Sequence, residues 1–243
     1  LSIYCIKKRF FKKYKKIRDK DIKFMNFCVS LTTLPSRIDN IENTILSIQK
    51  QSVQPNKIFI NLPYNFKRFK DYNFTESQIN KLSNYNLEIT RCEDFGPGTK
   101  LMGSINKIKD NYDCVILLDD DHIYHNSSFE IMLTNFKKKQ INYSFYLNKI
   151  FNIRHGQCSD IFLINTNFLG EIENFYREYV ENNINMFLDD DLWFAIYLYC
   201  EKKTSIKNLI DDFSEYTNQK IVYSQNLNKD IDALNLTVHK KNF

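Results

Sequence analysis

No apolar run in the chain approaches the roughly 18 residues that a bilayer crossing requires, so no membrane span is expected. The six cysteines (Cys5, Cys28, Cys92, Cys114, Cys158, Cys200) include no C-x-x-C pair. That excludes a zinc ribbon and a dense disulfide framework, and it suits a reducing compartment. Glycine is scarce, with 5 residues in 243, and three of them (Gly96, Gly98, Gly103) fall within one short stretch. Such clustering in a glycine-poor chain implies a backbone that turns sharply or approaches a ligand closely. No internal repeat is visible.

Basic charge is also missing from most of the chain, despite a net charge of +5. Lys7, Lys8, Arg9, Lys12, Lys13, Lys15, Lys16, Arg18, Lys20 and Lys23 crowd the start, against Asp19 and Asp21 alone. Setting these aside from totals of 34 and 29 leaves 24 basic and 27 acidic residues. A body of that balance has no basic stripe for nucleic acid, and no nucleic-acid partner is expected. Residues 1–25 read as a basic tail or linker and 26–243 as one domain. The tail fits a solvated helix or linker joining a preceding domain in a larger multidomain chain, since Leu1 is not an initiator Met. The alternative is a polybasic segment on anionic lipid, with Ile3, Tyr4, Ile6, Phe10 and Phe11 as its apolar side. The expected location is cytoplasmic, and membrane-peripheral if that alternative holds.

What remains is enough for one large α/β domain, with 43% hydrophobic and 26% charged residues. Phe27–Leu31 reads as a strand and Thr32–Arg37 as the loop after it. A helix follows, capped by Asp39 with Glu42 three residues on, and Ile41, Ile45 and Ile48 repeat on one face. Ile58–Leu62 and Leu87–Thr90 are further strands, separated by a long loop with one short helix over residues 63–85. A helix carrying Leu101, Ile105 and Ile108 comes next. Cys114–Leu118 reads as a strand buried on both faces, the kind that lies at the centre of a parallel sheet. Tyr143–Leu147 and Ile161–Ile164 are expected strands, Phe168–Asn182 an expected helix, and Asp189-Asp190-Asp191 opens another helix with Trp193, Ile196 and Cys200. Ligands of open α/β sheets bind beyond the carboxyl ends of the strands.

Asp119-Asp120-Asp121 sits at such an end. Three adjacent carboxylates repel one another and raise one another's pKa unless something positive is present. A divalent cation resolves the conflict. Mg²⁺ or Mn²⁺ suits hard oxygen ligands and binds one or two carboxylates together with substrate phosphates. The competing reading is a solvated acidic turn. His122 and His125 have H-x-x-H spacing beside these acids, but on a loop they read as surface or supporting groups rather than paired ligands.

The run Ile116–Asp121 resembles the D-x-D motif of GT-A glycosyltransferases. Ser30–Arg37 resembles the first strand and nucleotide loop of family-2-like members. Asp94-Phe95-Gly96-Pro97-Gly98-Thr99-Lys100-Leu101 resembles a segment of such enzymes, including some encoded by large DNA viruses. The resemblance covers roughly residues 26–200. It implies a Rossmann-like GT-A fold, a mixed and mostly parallel α/β sheet flanked by helices. The implied activity is metal-dependent hexosyl or deoxyhexosyl transfer from a nucleotide-sugar, a UDP-sugar first, to a glycan, lipid or protein acceptor. Thr32, Thr33, Pro35 and Arg37 would border the nucleobase, and Asp94 and Lys100 would face the nucleotide or its diphosphate. Asp119 would touch the ribose and serve with Asp121 at the metal, Asp120 assisting either.

His239 would return near the C-terminus as a further metal ligand; the competing reading is an exposed histidine on a frayed tail. Asp191, with Asp190 as nearest substitute, resembles the acidic pair that supplies the base of inverting enzymes. Its competing reading is simple helix capping, for which one Asp suffices. At a helix start the dipole would lower the pKa of Asp191. One departure from the family is the stretch Arg154–Asp160, which stands where relatives carry glycines before the strand bordering the acceptor.

Three rivals are weighed against this. In a D-x-D phosphohydrolase the motif lies on the first strand, whereas several strands precede it here. A non-catalytic nucleotide- or carbohydrate-binding module would not need two intact acidic sets. Sugar-1-phosphate nucleotidyltransferases share the architecture but carry a glycine-rich loop near the start, and Thr32–Arg37 has no glycine.

Overall fold

The structure is a computed structural model that describes residues 25–69, 71–150, 153–158, 161–209 and 223–226. The basic tail, apart from Met25, and His239 lie outside the described residues. Four strands build the first half: β1 (Phe27–Thr32), β2 (Lys57–Pro63), β3 (Glu88–Cys92) and β4 (Cys114–Leu117). The pairings β1–β2, β2–β3 and β1–β4 are all parallel. The second half adds β5 (His122–Tyr124), β6 (Tyr143–Ser144), β7 (Leu147–Ile150), β8 (Ile153–Gly156), β9 (Phe162–Asn165), β10 (Lys207–Asn208) and β11 (Tyr223–Asn226). The main sheet runs β10-β6-β9-β4-β1-β2-β3, with β9 antiparallel to both neighbours. Two small ribbons, β5–β11 and β7–β8, stand apart from it.

Alternation along the strands explains the layering. Val29 and Leu31 of β1 join one buried cluster, while Cys28 joins the other. Central parallel strands are covered on both faces, which is why β4 reads as an unbroken apolar run. Helix α1 (Ile41–Gln49) lies on the first cluster through Ile41, Ile45 and Ile48. The expected cap at Asp39 is not formed. The residue before the helix is Asn40, already near helical conformation at φ −100° and ψ −14°, with no side-chain cap bond. Side-chain capping needs an extended residue there. Asp39 instead pairs with Lys81 at 2.5 Å. The short helix of the long loop is α2 (Glu76–Leu82), closed by a capping box between Thr75 and Gln78.

The helix expected around Leu101 is two pieces, α3 (Thr99–Met102) and α4 (Ile105–Ile108), interrupted at Gly103 and Ser104. Helix α5 (Ser128–Lys139) was not foreseen. The expected strand at residues 143–147 is only two residues long, because the chain leaves β6 and re-enters pairing at Leu147. The expected helix over residues 168–182 divides into α6 (Ile172–Phe175) and a π-helical turn, Tyr176–Val180. After α7 (Ile184–Phe187), helix α8 (Asp190–Cys200) packs Trp193, Phe194, Tyr197 and Leu198 into the second cluster. Among the described residues, no helix is long and apolar enough to cross a membrane.

Candidate active site

In this sheet β1 lies between β2 and β4. Chain order therefore reverses at β1, and the crevice beyond the carboxyl ends of β1 and β4 is the topological switch point. The loop after β1 and the acidic triplet after β4 face each other across it. Thr33 donates its hydroxyl to Asp120 Oδ2 at 2.5 Å, and Arg37 Nη1 donates to Asp120 Oδ1 at 2.8 Å. Arg37 also lies 3.7 Å from Asp121 Oδ2. Backbone bonds hold the triplet in place. Tyr124 Oη accepts from Asp119 N at 3.0 Å and donates to the carbonyl of Asp119, while Thr44 of α1 donates to the carbonyl of Asp120 at 2.9 Å.

His122 is buried on β5, not exposed on a loop, because that segment pairs with β11. Its Nδ1 lies 2.6 Å from Asp121 Oδ1. His125 turns instead toward Ser127 Oγ, 3.0 Å away.

The second acidic set enters from α8. Asp189 is the cap, accepting from Leu192 N at 3.1 Å, which leaves Asp190 and Asp191 for other contacts. Asp191 Oδ1 accepts the backbone N–H of Cys158 at 3.0 Å. Asp190 meets Lys100 at 3.0 Å, and the same ammonium lies 2.5 Å from Asp119 Oδ1. Lys100 thus stands between the two acidic sets and is only 4% exposed. Burial works against its charge, but Asp119 and Asp190 outweigh it and hold its pKa well above the ordinary lysine range.

The carboxylates divide in character. Partial burial opposes ionisation of Asp119, yet the charge and hydrogen bond of Lys100, with His122 and Arg37, hold its pKa below the ordinary value. Burial raises Asp120 despite Arg37. Asp191 is pushed well up, by burial first and then by the charge of Asp190. The helix dipole expected to lower it is overridden, since removal from water beside a like charge costs an anion more than a helix end returns. Asp190 is raised for the same leading reason.

The other residues singled out from the sequence lie around this centre. Thr32 Oγ1 donates to the carbonyl of Asn61 at 2.7 Å, and the carbonyl of Pro35 accepts from Gln78 at 2.9 Å. Both oxygens of Asp94 are taken by backbone N–H groups, of Lys67 at 2.7 Å and Gly96 at 2.8 Å, so it closes the turn before α3. The glycines there serve that turn and tight packing within the protein. Gly96 has φ +62°, and a Cβ on it would lie 2.3 Å from the carbonyl oxygen of Phe187; one on Gly98 would lie 2.8 Å from the Trp193 ring. Sequence reasoning missed Cys158, whose backbone N–H meets Asp191, and Tyr124, whose hydroxyl meets the backbone of Asp119.

The donor set suits a hard divalent cation. Among the described residues, Asp119, Asp120, Asp121, Asp190 and Asp191 are gathered around two permanent cations, Lys100 and Arg37. The pKa values of Asp120, Asp190 and Asp191 are raised by burial first, and neighbouring carboxylates add to the shift. The triplet itself fans out. Among the described residues, the group whose potential ligand atoms all come within 4.8 Å of one another is Cys158, Asp190 and Asp191. Burial pushes the Cys158 thiol well up, so it is present as a weak donor toward Asp190, 4.0 Å away, and not as a thiolate ligand.

The fold is a mixed, mostly parallel α/β sheet with flanking helices, the Rossmann-like arrangement shared by GT-A enzymes and nucleotidyltransferases. Among solved structures it is similar to 4-diphosphocytidyl-2C-methyl-D-erythritol synthase from Anaerococcus prevotii. That match has a TM-score of 0.51 and 11% identity, over 78% of this chain and 90% of that one. S. aureus TarS matches at TM-score 0.48 and 12% identity, over 71% of this chain and 34% of that one. CMP:2-keto-3-deoxy-manno-octonic acid synthetase, solved with CTP, matches at 0.48 and 7%, over 76% and 88%. At such identities the likeness is one of fold. No protein-family model and no curated protein matches the sequence.

Proposed function

We propose that the chain is a glycosyltransferase that uses a nucleotide-sugar, a UDP-sugar first, and a divalent cation. The observation that carries this reading is the meeting of two acidic sets at the switch-point crevice, one ending β4 and one starting α8, with Lys100 between them. Asp121, with Asp119 or Asp120, would hold Mn²⁺ or Mg²⁺, which neutralises charge on a departing nucleoside diphosphate when bound. Thr32, Thr33 and Pro35 would border the nucleobase. The location of Arg37 on Asp120 supports a role in holding the triplet.

On the acceptor side, Asp191 takes the hydroxyl proton as the acceptor oxygen bonds to the anomeric carbon. The bond from that carbon to the diphosphate breaks with its electron pair leaving on the diphosphate, and configuration inverts. A raised pKa makes Asp191 a stronger base than a solvent-exposed aspartate, provided it is ionised at the working pH.

The test is a screen of nucleotide-sugars, with and without Mn²⁺, for release of free nucleoside diphosphate, followed by NMR of the product anomer. Mn²⁺-dependent release with inversion is expected. Retained configuration overturns the role of Asp191. Release of pyrophosphate from a nucleoside triphosphate and a sugar phosphate, with none from nucleotide-sugars, would instead identify a nucleotidyltransferase.

A further inference from the structure

Lys100 is held from both ends. Its carbonyl accepts from Asn61 Nδ2 at 3.0 Å and from Ser30 Oγ, which ties the backbone of α3 to the buried centre of β1 and β2. Asn61 donates to Ser30 Oγ at 2.9 Å and accepts from Ser104, so this polar network is itself satisfied inside the core. The ammonium at the other end touches Asp119 and Asp190. Around it the turn before α3 is locked onto α7 and α8, Gly96 against Phe187 and Gly98 against Trp193. Nothing in this arrangement resembles a surface lysine reaching for a diphosphate, since the side chain is 5% exposed and its charge is already shared between two carboxylates.

Resting on the function proposed above, we infer that Lys100 is a positioning residue for the transfer step. It acts through Asp190, holding the start of α8 in register with the end of β4, so that the base Asp191 faces the donor carried by the acidic triplet. A rigid link of this kind matters because misplacement of reacting groups by about 1 Å costs on the order of a hundredfold in rate. It makes Lys100 a determinant of turnover more than of donor affinity.

The experiment is a double-mutant cycle on the full chain with Lys100→Met, Asp190→Asn and the pair together, plus Lys100→Arg. Transfer rates and donor affinity are measured separately, and folding is checked by thermal melting. If Lys100 works through Asp190, the double variant turns over within about twofold of Asp190→Asn alone. Donor affinity stays within about threefold of wild type in every variant while kcat falls, the pattern of an interaction needed in the transition state. Lys100→Arg, which keeps the cation, recovers part of the lost kcat. Should Lys100→Met strand Asp190 and fail to fold, the double variant lacks that stranded charge and carries the comparison. Multiplying losses in the double variant, or a rise in donor KM at unchanged kcat, would overturn the inference and return Lys100 to the diphosphate. A wild-type enzyme that releases no nucleoside diphosphate from any nucleotide-sugar overturns the underlying reading instead.

Discussion

The proposed function gives single residues in the crevice separable duties, which makes them open to test one at a time. Among the described residues, Asp191 meets a backbone N–H and no cation directly, while Asp119 is already matched by Lys100. Replacing Asp191 by Asn removes the proposed proton acceptor but leaves a side chain of the same shape that still accepts from Cys158. Turnover should fall about a hundredfold or more, the scale of a lost general base, with donor binding nearly intact in a titration. Asp121→Asn should do the opposite, weakening Mn²⁺ affinity in the presence of UDP by more than about tenfold, because an amide brings no charge to the ion. Calorimetry with Mn²⁺ and UDP would separate the two, and unchanged Mn²⁺ affinity in Asp121→Asn would remove it from the ligand set. The acids of the crevice were legible as a group because acids are costly to crowd together. Cys158 was not, since its contribution to Asp191 is a backbone N–H that any residue at that place would offer.

Elements were legible where burial imposes a local period. The strands β1, β2 and β4 and the Ile41, Ile45, Ile48 face of α1 follow directly from patterns in the chain. Helix α5 carries such a period too, with Phe129, Met132, Leu133 and Phe136 all buried, but Glu130, Thr134 and Asn135 dilute it. The β5–β11 ribbon joins His122 to Asn226, a pairing with no local signature, and for that reason His122 looked like a loop residue. The glycine cluster was noticed for the right conformational reason, and its tight neighbours within the protein are Phe187, Trp193 and Asn61. That gives an element-scale prediction. Gly98→Ala places a methyl 2.8 Å from the Trp193 ring and must push α3 from α8. Overpacking of this type costs about 1–3 kcal/mol, and chemical denaturation should show a loss in that range. Because Lys100 and Asp190 ride on the two displaced helices, kcat should fall while a control such as Gly170→Ala, with open space around its Cβ, stays at wild-type stability and rate.

Across the whole molecule the proposed function sets stability against activity, and pH is the variable that exposes the conflict. Asp191 is faced by Asp190 on its own helix, by Lys100 from α3, by Asp119 from the end of β4 and by the thiol of Cys158. Burial and the neighbouring acids win over Lys100, so the native state holds a proton on Asp191 more tightly than the unfolded chain does. An ordinary aspartate titrates near about 3.9. From there up to the raised native value the folded protein binds more protons than the unfolded one, and stability therefore falls as pH rises through that window and levels off above it. Asp190 contributes with the same sign. Asp119 and Glu88, whose pKa values are lowered, act only below the ordinary range and with the opposite sign, losing their stabilisation as pH falls. Turnover has the reverse demand, because a base must be ionised before it can take a proton, so kcat should climb across the window in which the fold loosens. Melting temperatures from pH 4 upward should decline in the wild type and decline less in Asp191→Asn, which should also be the more stable protein at neutral pH. A pH-independent difference between the two melting curves, or a wild-type kcat that falls as the melting temperature falls, would show that Asp191 is neither the acid whose pKa is raised nor the base.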